Sequence, residues 1–292
     1  MRRPASVLLV AVVSGVLLRA GPAAASTAEV YGLGPAASAQ AGAVSASVTD
    51  FSAVHYNPAG LAFSPATAVG VGFIGAGSGL QIQGERFGLT NQSGPLVGVR
   101  APLPFGGTLT NRLAFGFALY VPPATLLRII SRYPQEPFFP LYDNRTQRLI
   151  VMPALGFRLH DRVALGLGVN YFGSLSGAVQ GATGASRAIE PRADEAIGAR
   201  VGVHAGVRWD PLRRLSVAFT YRQQFSIPFS VVSDIFVAGS PISLAVKSEG
   251  LYTPHTLVWG VAFRPRAGTT LGLDVTWALW SQWDGPYIHV TS

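Results

Sequence analysis

The side chains able to do chemistry in this 292-residue chain are a few ionisable groups set at alternate positions of apolar runs. They are Arg100, Arg158, Arg200, His204, Arg208, Arg222, Arg264 and Asp274. A guanidinium in a desolvated pocket holds a carboxylate through two parallel N–H bonds. An apolar pocket with such a group at its mouth is what binding a fatty acid requires. Arg100, Arg158, Arg200, Arg208 and Arg222 are therefore candidate ligand-binding residues; pairing with acids on the same face, or plain solvation, is the alternative. A second candidate set is apolar: Leu126, Ile130, Phe138 and Phe139 lie together in the stretch 122–146. Exposed, they would make a catching surface for hydrophobic molecules; otherwise they pack on one another.

Enzymatic chemistry finds little support. HExxH, P-loop, GxSxG and SxxK motifs are all missing. The five histidines (His55, His160, His204, His255 and His289) stand singly, without metal-ligand spacing. Cysteine is absent, which removes thiolate nucleophiles, disulfides and Cys-based zinc sites. His204 and Asp274 would couple only if the fold brought them together. The expectation is no enzyme, no catalytic residue, no metal and no cofactor.

The setting of these residues follows from composition. Charged residues make up 12% of the chain and apolar ones 49%, against about 25% charged for a soluble domain. That excludes disorder, and the basic residues are too few and scattered for nucleic acid binding. Arg2 and Arg3 precede the apolar run Val7–Leu18, and Ala23, Ala24 and Ala25 follow. The pattern is that of a secretory signal peptide over residues 1–25, cleaved near Ala25 or Ala28. Its loss removes Arg2, Arg3 and Arg19, lowering the net charge from +8 to +5. No other apolar run reaches the length of a spanning helix. An exported, apolar, charge-poor chain without such a helix points to a transmembrane β-barrel.

Alternation supports that fold. Leu113, Phe115, Phe117, Leu119 and Val121 interleave with Ala114, Gly116, Ala118 and Tyr120. Similar period-two runs begin at Val163, Val201, Leu215 and Leu271, and less regular ones cover 66–76, 93–103, 147–159 and 255–265. One set is apolar and the other small or polar, as lipid-facing and lumen-facing residues should be. A soluble sandwich would carry charge on its second face. The links alternate too: 77–92, 122–146, 181–197 and 231–252 are long, whereas 104–110, 160–161, 210–212 and 266–270 are short. Barrels of the outer membrane have short periplasmic turns and long external loops. Aromatic clusters at Tyr120–Tyr142 and Trp277–Tyr287 fit interfacial girdles.

Residues 26–65 do not alternate and are rich in Ala, Gly and Ser. A segment of small residues is suited to fold compactly inside a lumen and block it. Here the chain resembles the FadL/TodX family, outer-membrane transporters of long-chain fatty acids and aromatic hydrocarbons. The resemblance rests on Ser38–Ala43 and, above all, on Tyr56-Asn57-Pro58-Ala59-Gly60-Leu61. Pro153–Arg158, Ala164–Asn170, Thr253-Pro254, Gly260–Pro265, Trp277 and Trp280-Ser281 add to it. It implies an all-β transmembrane antiparallel barrel of fourteen strands, of which residues 66–292 form an incomplete part, plugged by an N-terminal hatch over 26–65. It carries Asn57, Pro58 and Ala59 over as hatch residues. It also implies diffusion of a hydrophobic ligand through the outer membrane, without ATP or cofactor, by a protein surrounded by outer-membrane lipid and monomeric when complete. Long-chain fatty acid is the expected substrate, with aromatic hydrocarbon, or a structural or secretion-associated barrel, as alternatives.

The chain departs from the family in one respect. About nine strands are legible against an expected fourteen, and His289-Val290-Thr291-Ser292 lacks a terminal aromatic residue. The expectation is a chain corresponding to the N-terminal two-thirds of a transporter.

Overall fold

A computed structural model describes residues 32–77, 79–88, 91–122, 149–183, 189–237, 240–283 and 289–291. The expected signal peptide and Leu126, Ile130, Phe138 and Phe139 lie outside the described residues. Nine antiparallel strands form the main sheet among them: β1 (Ala68–Ala76), β4 (Gln92–Pro102), β5 (Leu113–Tyr120), β6 (Ile150–His160), β7 (Val163–Thr183), β8 (Ile189–Leu212), β9 (Leu215–Arg222), β12 (Thr256–Arg266) and β13 (Thr269–Ala278). They pair in chain order, and β1 and β13 are the two edges, unpaired with each other among the described residues. The sheet is a curved wall, not a closed ring.

The nine strands coincide with the nine alternating runs, but three of the long links are different from simple loops. β7 and β8 run on well past the first ten residues as a ladder reaching Thr183 and Ile189. In 225–253, β10 (Phe225–Val237) and β11 (Ser240–Thr253) form a hairpin that pairs with β14 (His289–Thr291). The first long link folds into a small hairpin of β2 (Gly79–Ile82) and β3 (Glu85–Gly88). Period-two alternation marks a lipid-facing strand and says little about strands outside the bilayer.

One face of the wall is exposed and apolar. Val69, Val71 and Phe73 of β1 are all more than two-thirds exposed, and Leu167, Val201 and Trp209 are more than half exposed. Cross-strand neighbours Phe219 and Trp259 stand with ring centroids 5.6 Å apart on this face. In water such a surface would drive aggregation, whereas in hydrocarbon it is the solvent-matched side. The other face is covered by residues 32–67, which hold two short helices, α1 (Pro35–Ala39) and α2 (Ala53–Tyr56), and a 3₁₀ turn, Pro58–Phe63. Leu33, Val44, Phe51, Val54 and Leu61 of this segment form one core with Leu96, Tyr120, Ile150 and Met152 of the wall.

Many of the wall's glycines fall where the segment presses closest on it. A Cβ at Gly166 would overlap the backbone of Pro58 and Ala59, and one at Gly206 would overlap the amide of Asn57. No side chain fits at either position, so the small-residue face is a seat for the segment. Gly166→Val should therefore lower stability by about 1–3 kcal/mol through overpacking. Gly75, with nothing near its would-be Cβ, should tolerate Ala within about 0.5 kcal/mol. Thermal unfolding in detergent micelles, followed by circular dichroism, checks the pair; equal losses at both sites would contradict the seat.

Candidate functional site

The N-terminal segment is mostly irregular, so most of its carbonyls have no helical partner and lie buried against the wall. An unpaired buried carbonyl costs about 1–3 kcal/mol. The wall supplies the donors. Arg222 Nη2 donates to His55 O at 2.9 Å, and Thr220 Oγ1 to Tyr56 O at 3.2 Å. Arg158 donates through Nε and Nη2 to Ala62 O, at 2.9 and 2.5 Å. Arg100 reaches Ser64 O at 2.6 Å and also Ala66 O. Arg208 lies 3.4 Å from Val48 O and forks onto Asp210 at 3.0 and 3.1 Å. His204 Nε2 stands 2.5 Å from Val54 O; a carbonyl only accepts, so the proton sits on Nε2.

The candidate arginines thus separate. Arg100, Arg158 and Arg208 sit beneath the segment at the short-turn end, with their donors on its carbonyls or on Asp210. Phe63 lies between two of them, its ring centroid 4.2 Å from the Arg208 guanidinium and 5.8 Å from that of Arg158. Arg264 donates to Ser216 Oγ at 2.8 Å. Arg200 pairs with Phe172 in the β7–β8 ladder, and its side chain is outside the described residues. His204 and Asp274 do not form a couple. Asp274 instead accepts from Ser45 N at 3.0 Å and Ser45 Oγ at 2.9 Å.

Asn57 is the knot of the segment and is fully buried. Its backbone is extended (φ −161°, ψ 103°), as a residue before proline prefers, and Pro58 opens the 3₁₀ turn. Its Oδ1 accepts from Ala59 N at 3.1 Å. Its Nδ2 donates inward to Ser45 O at 2.9 Å and outward to Val207 O of β8 at 3.2 Å. The Asn-Pro pair announced a turn in the sequence. Its third partner on a strand 150 residues away had no local signal, and neither did Thr220 or Ser45.

Above the segment, at the long-link end, is a cavity of about 920 Å³. It lies between the two sheet edges, with Ile74 of β1, Leu96 of β4 and Val258 of β12 as apolar wall. Tyr56, His55, Arg222 and Asp274 are among its polar groups. Among the candidate arginines with described side chains, Arg222 both lines this space and holds the segment.

His55, on α2 and outside the spanning strands, has its pKa held well below 6.5, first by burial, then by Arg222 and His204. It stays neutral in the fold, so below pH 6.5 the unfolded chain takes up a proton that the folded one refuses. Stability should be flat above pH 6.5 and fall below it by up to about 1.4 kcal/mol per pH unit. Melting curves at pH 7.5 and 5.5 should differ less for His55→Gln than for the wild type; an identical pH slope in both would refute the assignment. Asn57→Ala strands Ser45 O, while Val207 O keeps its place in the β8–β9 ladder, and should cost about 1–3 kcal/mol. Limited proteolysis should then cut within 32–67 at a protease level that spares the wild type.

Comparison with known proteins bears on this arrangement. Residues 10–286 match the family model described as outer membrane protein transport protein (OMPP1/FadL/TodX). The crystal structure of the P. putida toluene transporter TodX is similar at 14% identity, with a TM-score of 0.53 over 90% of this chain and 74% of that one. The CymD monoaromatic hydrocarbon channel is similar at 14% identity, TM-score 0.53, over 87% and 70% of the two chains. A TodX mutant described as deltaS2S3 gives 16% identity and TM-score 0.53 over 87% and 71%. At such identities the likeness establishes the fold. Comparison with curated protein sequences finds no match. With a wall of lipid-facing strands, an N-terminal segment seated on its inner face and a family model spanning nearly the whole length, the chain belongs to the OMPP1/FadL/TodX family of outer-membrane transport proteins.

Proposed function

We propose that this chain carries hydrophobic small molecules through the outer membrane by diffusion, and that long-chain fatty acids are its substrate class. The carrying observation is the cavity of about 920 Å³ with an apolar wall and Arg222 at its polar side. A fatty acid presents a long apolar tail and one carboxylate, and an arginine fork is complementary to that head. A neutral hydrocarbon in the same place offers that fork no charge to bind. Residues 26–65 act as a hatch, with Asn57, Pro58 and Ala59 among its residues. Since Arg222 already donates to His55 O, a carboxylate taking up that fork competes with the hatch for it. Arg100, Arg158 and Arg208 meet a ligand only after the hatch has moved, because their donors now hold it. Leu126, Ile130, Phe138 and Phe139 form the outer catching surface. Residues 1–25 are the signal peptide and 66–292 the barrel wall, and the transporter works as a monomer.

The second reading is uptake of aromatic hydrocarbons, favoured by the likeness to proteins described as a toluene transporter and a monoaromatic hydrocarbon channel. Binding of oleate, oleyl alcohol and toluene to the purified protein separates the two. Oleate should bind at least tenfold tighter than oleyl alcohol, and Arg222→Leu should erase that preference. The preference stems from one charge-assisted pair, of about 1.5–3 kcal/mol. Toluene bound with no effect of Arg222→Leu would favour the hydrocarbon reading. Binding of none of the three would end the transport proposal.

A further inference from the structure

The short-turn end of the wall carries an unequal share of charge. Arg112, Arg162, Arg213, Arg214 and Arg266 are exposed there, against one exposed acid, Asp161. Asp210 adds no net charge, because Arg208 forks onto it. The long links are different: residues 77–91, 121–149, 181–197 and 231–252 together hold eight basic and eight acidic side chains. The surplus charge is concentrated at one end of the molecule.

Main-chain bonds lock these turns side by side. Arg158 N donates to Arg112 O, Asp210 N to Arg162 O and Arg264 N to Arg214 O, at 2.7, 2.7 and 2.8 Å. Arg112 Nη1 reaches Leu159 O at 3.2 Å, and Arg162 Nη1 lies 3.4 Å from Pro211 O. Successive hairpins of an antiparallel sheet stand about 10 Å apart, so the arginines form a fixed row along the rim. Each guanidinium has five N–H donors, and those two bonds use one donor apiece. Leu159 of β6 and Trp209 of β8 stand at exposed positions just inside the rim, and Phe105 and Leu212 lie in or beside the turns, all four about half exposed or more. Leu212 precedes Arg213 directly, Trp209 stands four residues before it, and Leu159 stands three residues before Arg162.

We propose that this rim binds anionic phospholipid headgroups of the leaflet that the short turns face, which in an outer-membrane barrel is the periplasmic one. Lipid phosphates take the free N–H donors of Arg112, Arg162, Arg213, Arg214 and Arg266, while Phe105, Leu159, Trp209 and Leu212 rest on the upper acyl chains. Guanidinium matches phosphate through its planar fork, and a tryptophan at headgroup depth is an interfacial anchor. An apolar band directly under a cationic row fits an amphiphile lying along the barrel wall. An acidic protein docking from the periplasm would meet the arginines but not that lipid-facing band. The row keeps this end at a fixed depth in the membrane.

The test is lipid retention by the full chain. Protein in mixed micelles of equal phosphatidylglycerol and phosphatidylcholine is washed, and the bound lipids are counted by native mass spectrometry. Phosphatidylglycerol should be enriched on the wild type, and R213Q/R214Q should lose roughly fivefold of the enrichment per arginine removed. R213K/R214K keeps the charge and should retain most of it. Added salt should weaken the enrichment, and free inorganic phosphate at equal charge should not compete with it. Arg214 ties the turns through its main-chain carbonyl and not its guanidinium, and unchanged melting in phosphatidylcholine alone shows that the variants fold. No enrichment on the wild type, or equal enrichment on R213Q/R214Q, overturns the proposal. Capture of the wild type by a polyglutamate peptide without lipid enrichment overturns it in favour of an acidic protein partner. None of these outcomes depends on which hydrophobic molecule the cavity takes.

Discussion

Irregular backbone inside a barrel has more carbonyls than its own amides can satisfy, and neither lipid nor a packed core offers a donor. Everything on the inner face of this wall answers that shortage. The segment 32–67 has only two short helices and one 3₁₀ turn. Side chains from strands far away in sequence complete its hydrogen bonding: Arg100, Arg158, His204, Arg208, Thr220 and Arg222 all donate to it. Asp274 does the converse, accepting from the Ser45 amide and hydroxyl. Long guanidinium arms suit the task, since one arginine can reach two carbonyls, as Arg100 does at Ser64 and Ala66.

Donors alone would not seat the segment, because the two backbones must also come close. Gly166 and Gly206 lie under Pro58, Ala59 and Asn57 and leave no room for a Cβ. The aromatic ring of Phe51 rests similarly over Gly70 and Gly98. A face with glycine at the points of contact and arginine around them is rigid where it touches and polar where it reaches. The apolar clusters fill what remains, with Leu61 and Val54 against the wall at Gly116. The cavity begins where this contact ends, between the segment and the two sheet edges.

Much of this was legible from residue order. Nine alternating runs became the nine strands of the sheet, because a lipid-facing strand must show apolar side chains at every second position. The Asn-Pro-Ala element stood out because proline restricts its own dihedral and that of its neighbour. The arginines were recognisable as inward-facing for the same period-two reason. Their partners were not. Nothing near Arg158 in the sequence points to Ala62, or near Arg208 to Val48, since those bonds join elements about 100 and 160 residues apart. The same distance hid the fact that His204 and Asp274 serve Val54 and Ser45 of the segment instead of each other.

The residue order by itself determined the outward face, the strand positions, the unequal loop lengths and the family, since each is a periodic or local property of the chain. Which guanidinium holds the segment, which also lines the cavity, and how the turn arginines line up along one rim were decided by the tertiary structure. The physical reason is that a hydrogen bond to a buried carbonyl depends on a distance of about 3 Å in space, and chain order does not encode that distance.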